Sequence, residues 1–98
     1  MRKVKKTCQV KVKNTLGLHA RPATVIVKLL QKVKSDVTFS YRGATVNAKS
    51  IMSILMLAVG KNGLIEIAVE GEDALDTMEA LIAAFDNEFG EKSIEAKT

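Results

Sequence analysis

The 98 residues are enough for one compact domain around a single core and too few for two. Hydrophobic residues at 47% exclude a disordered chain, and no apolar run approaches the roughly 20 residues that span a bilayer. A net charge of +4 could draw nucleic acid, a membrane or an acidic protein. Three phenylalanines and one tyrosine leave no basic–aromatic stripe, however, so solvated lysine faces over residues 1–13 and 28–34 are the favoured reading. One cysteine cannot form an internal disulfide, and one histidine gives no metal cluster, so neither metal nor cofactor is expected. Cys8 falls on an apolar strand face and reads as a small buried hydrophobe. The basic start, Met1-Arg2-Lys3-Val4-Lys5-Lys6, runs into an alternating segment and not a signal-peptide core, so a cytoplasmic protein is expected.

Taken in order, residues 8–13 alternate apolar and polar as a half-buried strand does, and Asn14-Thr15-Leu16-Gly17-Leu18 is a loop. From Ala20 to about Val33, Ala23, Ile26, Val27, Leu30 and Val33 form one helical stripe, which Ser35-Asp36 breaks. Val37, Phe39 and Tyr41 alternate with polar residues; Arg42-Gly43 turns the chain; Ala44, Val46 and Ala48 alternate again, giving a hairpin. Ser50 opens a run from Ile51 to Ala58 without period-2 alternation, which predicts a short helix. Gly60-Lys61-Asn62-Gly63 is a turn, and Ile65, Ile67 and Val69 mark a fourth strand. Gly71-Glu72-Asp73 starts the longest helix with acidic residues, as the helix dipole favours. Its predicted stripe is Leu75, Met78, Leu81, Ile82, Phe85 and Phe89, with Gly90 as terminator. The order is β-α-β-β-α-β-α. One apolar face per strand implies a sheet covered on one side, hence antiparallel pairing in a two-layer α+β fold with the helices on one face.

The stretch Leu16-Gly17-Leu18-His19-Ala20-Arg21-Pro22-Ala23 holds the only histidine and the only proline. A helix starting at Ala20 places His19 where backbone N–H groups lack intrahelical partners and the dipole is positive. Pro22 suits a first turn, and Arg21 adds planar, forked donors. Together these features suit a phosphoryl group, including one held covalently on His19. A lone histidine at a helix start is more often a surface residue or a cap; Arg21 and Pro22 shift the balance towards chemistry. A free-standing hydrolase using His19 is disfavoured, since no second acid–base partner is evident.

Gly17-Leu18-His19-Ala20-Arg21-Pro22-Ala23 resembles the active-site motif of the HPr family, the histidine-phosphorylatable carriers of the bacterial phosphotransferase system. Asn47-Ala48-Lys49-Ser50-Ile51-Met52 resembles the regulatory-serine segment of the same family, and the likeness runs from about residue 8 to residue 89. The resemblance implies an open-faced β-sandwich with strand order 1-4-2-3 and three helices on one face. It implies that His19 accepts phosphate through Nδ1 from phosphorylated enzyme I and passes it to the histidine of an enzyme IIA domain in sugar uptake. On this likeness Arg21, with Ala20 beside it, binds the phosphate and Pro22 shapes the helix start. The chain would then be a phosphoryl carrier and not itself an enzyme. It would be monomeric, with a core over about residues 7–90 and a flexible tail over 91–98.

Ser50 reads first as an N-cap, a role that coexists with regulation. The resemblance implies phosphorylation there by an HPr kinase, beside a partner surface of Ile51, Met52 and Leu55. Ser53 stands where many relatives carry glycine. The alternatives are a carrier of the regulatory, nitrogen-related branch, suggested by Asn47-Ala48-Lys49-Ser50 and Leu81-Ile82-Ala83-Ala84-Phe85, and a basic nucleic-acid-binding module, which is disfavoured.

Overall fold

Alternation of apolar and polar residues builds four strands in the computed structural model, which describes residues 4–91. They are Val4–Lys11 (β1), Asp36–Tyr41 (β2), Ala44–Asn47 (β3) and Leu64–Gly71 (β4). All pair antiparallel in one sheet of order β1-β4-β2-β3. β1 starts ahead of the predicted Cys8 and stops at Lys11, because it pairs along its whole length with β4, from Val4 opposite Gly71 to Lys11 opposite Leu64. Val12, just past the strand, is fully buried, whereas Cys8 is only half-buried at the sheet edge, not sealed in the core as expected.

Three helices, Ala20–Leu30 (α1), Ile51–Met56 (α2) and Ala74–Asp86 (α3), cover one face of the sheet. Ile26, Leu30, Ile54, Leu81 and Phe85 are sealed against Val37, Phe39, Ile65, Ile67 and Val69. Each such side chain contributes roughly 1.5–3 kcal/mol through removal from water. The other face is open, with Asp36, Glu66 and Glu70 in solvent and Lys5 paired across from Glu70.

Three sequence expectations are corrected by packing. α1 ends at Leu30 and leaves Val33 half-buried in the following turn. Leu75 is 56% exposed. The stripe of α3 runs instead through Ala74, Thr77, Met78, Leu81 and Phe85, so Leu75 lies about 100° round the helix from the buried line. Phe89 is not on the helix: α3 stops at Asp86, and a left-handed φ of 55° in the turn Glu88–Gly90 swings Phe89 back over Phe85. The two rings meet edge to face at 4.8 Å, and Phe85 meets Phe39 similarly at 5.9 Å, which stacks three aromatics through the core.

Asp73 precedes α3 but does not cap it with its side chain. Its carboxylate instead accepts hydrogen bonds from the Lys34 and Ser35 amides, each at 2.9 Å, and from the Ser35 hydroxyl. The carboxylate thus pins the α1–β2 connection to the start of α3. Gly71, with φ 156°, makes room, since a Cβ there would strike Ser35. The Ser35 hydroxyl, followed by the Lys34 amide, holds the Asp73 pKa down to about 2 from 3.8. A depressed carboxylate contributes stability that is full above the unfolded value of 3.8 and is lost as pH falls through about 2. Asp73→Asn should therefore melt lower than wild type at neutral pH, and the gap should narrow between pH 4 and pH 2. A gap that stays constant across that window would show that the charge of Asp73 contributes nothing.

Candidate functional site

The loop before α1 is built by backbone bonds to the α2–β4 connection. Val12 donates to the Gly63 carbonyl at 2.9 Å and accepts from Asn62 at 2.7 Å, while Leu18 donates to the Val59 carbonyl at 2.9 Å. Gly17 makes the turn with φ 71°, and its backbone lies so close to Val59 and Gly60 that no side chain fits. Leu18 is buried. These contacts deliver His19 in extended conformation to the first position before α1, where its carbonyl accepts the Ala23 amide at 3.1 Å.

The His19 side chain does not cap the helix. Its Nε2 lies 3.0 Å from Oε2 and 3.3 Å from Oε1 of Glu91, and the ring remains 31% exposed. Arg21, the second residue of α1 and 62% exposed, brings Nε to 4.0 Å from the same Glu91 Oε2. Pro22 is buried in the first turn, where it has no N–H to leave unpaired. The amides of Ala20 and Arg21 belong to the group that a helix start leaves without intrahelical partners. The His19 ring and the Arg21 guanidinium therefore both face the Glu91 carboxylate, beside the positive end of the α1 dipole.

Sequence reasoning missed two members of this site. Glu91, assigned to the tail, is only 14% exposed in its side chain and closes over His19. Residues 92–98 of the expected tail lie outside the described residues. Asn14 is fully buried and spends both amide protons, one on Glu91 Oε1 at 2.5 Å and one on the Glu88 carbonyl at 2.8 Å. No local pattern marks either residue; they meet across 77 positions of sequence.

Ser50 does what a helix-start serine should. Its Oγ accepts the Ser53 amide at 3.2 Å, and its carbonyl accepts the Ile54 amide. Two tethers set where α2 lies. Lys49 Nζ donates to the Val33 carbonyl at 3.0 Å, joining the start of α2 to the segment after α1, while the Val59–Leu18 bond joins the segment after α2 to the loop before α1. Ser50 thus lies towards the end of α1 remote from His19, and the second turn of α2 leads towards His19. Ile51 and Met52 are exposed, whereas Leu55 is half-buried against the core. Met56, 76% exposed at the end of α2, and Leu16, exposed in the loop before His19, add apolar surface; neither was assigned to the partner surface from the sequence.

Comparison with known proteins agrees with this architecture. The family described as PTS HPr component phosphorylation site matches residues 6–87. A phosphocarrier protein HPr from Chlamydia muridarum is 45% identical over 80 residues, covering 82% of this chain and 77% of the relative. Among solved structures, an HPr from Thermoanaerobacter tengcongensis superposes with a TM-score of 0.84 at 36% identity, covering 88% of this chain and 97% of that one. A phosphocarrier protein HPr from Bacillus anthracis gives 0.79 at 41% identity, with 83% and 96% covered. Fold and likeness together place this chain among the phosphocarriers of the phosphotransferase system. Within that class it belongs to the HPr family. No helix among the described residues is long and apolar enough to cross a membrane.

Proposed function

We propose that His19 accepts a phosphoryl group on Nδ1 from phosphorylated enzyme I and delivers it to the histidine of an enzyme IIA domain in sugar uptake. The observation that carries this reading is the His19 ring itself: it stands at the α1 start, half-exposed beside Arg21, and is not used as a cap. Arg21 and the first amides of α1 would meet the phosphoryl oxygens with charge-assisted hydrogen bonds. Pro22 rigidifies that turn. The N–P bond to Nδ1 would hold the group, while Arg21, the amides and the dipole stabilise its charged oxygens without blocking transfer to a second partner. Incubation with enzyme I and labelled phosphoenolpyruvate should give acid-labile, base-stable label that moves on to enzyme IIA. A chain that takes no label would overturn the reading.

Enzyme I and enzyme IIA would dock on the apolar surface of exposed Ile51 and Met52 with half-buried Leu55, continued by Met56 and Leu16 towards His19. Ser50 stands at the far rim of that surface, so a phosphate added there by an HPr kinase would act on docking and not on the His19 ring. Ser50→Asp is the measurement. Aspartate is also a good N-cap and its charge suits the helix start, so stability should change by about 1 kcal/mol or less. Phosphorylation of His19 should slow, mainly through a higher apparent KM of enzyme I for the carrier. Unchanged kinetics with a normal melt would remove Ser50 from the docking surface, and a collapsed melt would leave it a structural role alone.

A further inference from the structure

We infer that Glu91, held in place by Asn14, is a positioning residue that fixes the tautomer of His19 and so selects Nδ1 as the nucleophile. The inference rests on the carrier reading of His19 and adds to it the group that prepares the ring. Both Glu91 carboxylate oxygens face Nε2, at 3.0 and 3.3 Å. An ionised carboxylate only accepts hydrogen bonds, so the proton of the neutral ring must sit on Nε2, and the lone pair is then left on Nδ1. Glu91 is not a floppy surface acid. Its side chain is 14% exposed, and the fully buried Asn14 amide donates to Oε1 while its other proton is tied to the Glu88 carbonyl. The chain from Asn14 to Glu91 to His19 therefore orients the imidazole as the third member of a catalytic triad orients its histidine.

The transfer balances without moving a proton. The Nδ1 lone pair forms the N–P bond while the bond from phosphorus to the phosphorylated donor breaks and its electron pair leaves with the donor. The ring keeps its Nε2 proton and becomes positively charged, and the Glu91 carboxylate faces that charge. In onward transfer the N–P pair returns to Nδ1 as the acceptor's nucleophile bonds to phosphorus. The same carboxylate keeps the proton on Nε2 in both directions, so the ring departs from phosphorus as a neutral imidazole and not as an imidazolide anion.

His19 is the only histidine, so its ring nitrogens are unambiguous in a nitrogen-15 NMR spectrum of the full chain. Wild type should show the neutral ring as the Nε2–H tautomer. Glu91→Ala should give a mixture of tautomers, with labelling by enzyme I slowed about tenfold, the low end of what hydrogen-bonding partners contribute at metal-ligating histidines. Glu91→Gln retains an acceptor oxygen but no charge, so it should restore the tautomer and recover only part of the rate. Thermal melts of both variants establish that they are folded. An unchanged tautomer in Glu91→Ala, or an unchanged labelling rate, would overturn the positioning role. If wild type takes no label at all, the carrier reading falls, and the tautomer measurement still decides what Glu91 does to the ring.

Discussion

His19→Ala should eliminate acid-labile phosphate from this chain and leave the fold intact. The loss should be complete, because no second histidine exists to take the group. Stability should fall by less than about 1 kcal/mol, because the ring makes no cap bond and its ion-pair contact with Glu91 is partly exposed. The backbone role of His19, accepting the Ala23 amide through its carbonyl, is kept by alanine. The measurement is labelling by enzyme I beside a thermal melt. Undiminished acid-labile label on the variant would place the acceptor elsewhere. A lost melt would mean that His19 supports the fold, contrary to its geometry.

Gly17→Ala should be the most destabilising change in the site, although it removes no chemistry. Gly17 has φ 71°, a left-handed conformation that costs an alanine roughly 1–2 kcal/mol. An added Cβ would also strike the Val59 carbonyl oxygen and lie 2.8 Å from Gly60 Cα, both backbone atoms that cannot rotate aside. The loop would have to separate from the 59–60 segment and lose the Leu18–Val59 hydrogen bond. The total should be on the order of 3 kcal/mol, a large share of the stability of a small domain. Because the same loop delivers His19 to the α1 start, labelling by enzyme I should fall as well, even at temperatures where the variant remains folded. Chemical denaturation and labelling rates check the two halves of this expectation. A variant as stable as wild type would show that the contact between the two loops relaxes at little cost.

The two effects differ in kind, and the difference shows why the site was only partly legible. His19, Arg21 and Pro22 are adjacent in the chain, and their relation to a helix start follows from local rules: proline in the first turn, an apolar stripe beginning after it, and a dipole end that attracts anions. Ser50 is legible for the same reason, since capping by a serine of an amide three residues ahead is a local event. Asn14 and Glu91 are not. Neither residue type nor spacing distinguishes Glu91 from the other glutamates. It reaches His19 only because a left-handed turn at Glu88 and Phe89 folds the chain back after α3, and that turn is stabilised by the burial of Phe89 on Phe85. The same reversal explains why the predicted stripe of α3 ran too far.

Asp73 teaches the complementary point. An acid at the start of a helix suggests capping or dipole compensation. The structure spends it on the Lys34 and Ser35 amides, because the close approach allowed by Gly71 brings unpaired donors of the α1–β2 connection to it. Donors without partners in their own segment take the nearest acceptor in space, whichever element that acceptor was expected to serve.

By itself, the amino-acid sequence determined the element order, the one-sided sheet, and the His19-Ala20-Arg21-Pro22 helix start, because periodicity, turn chemistry and capping act over a few residues. Only the tertiary structure decided the strand ends, the exposure of Leu75 and Met56, the position of Ser50 relative to His19, and the Asn14–Glu91–His19 chain. Those features depend on which surfaces the sheet and helices bury against each other, and on hydrogen bonds between residues more than 70 positions apart, for which no local residue pattern carries a signal.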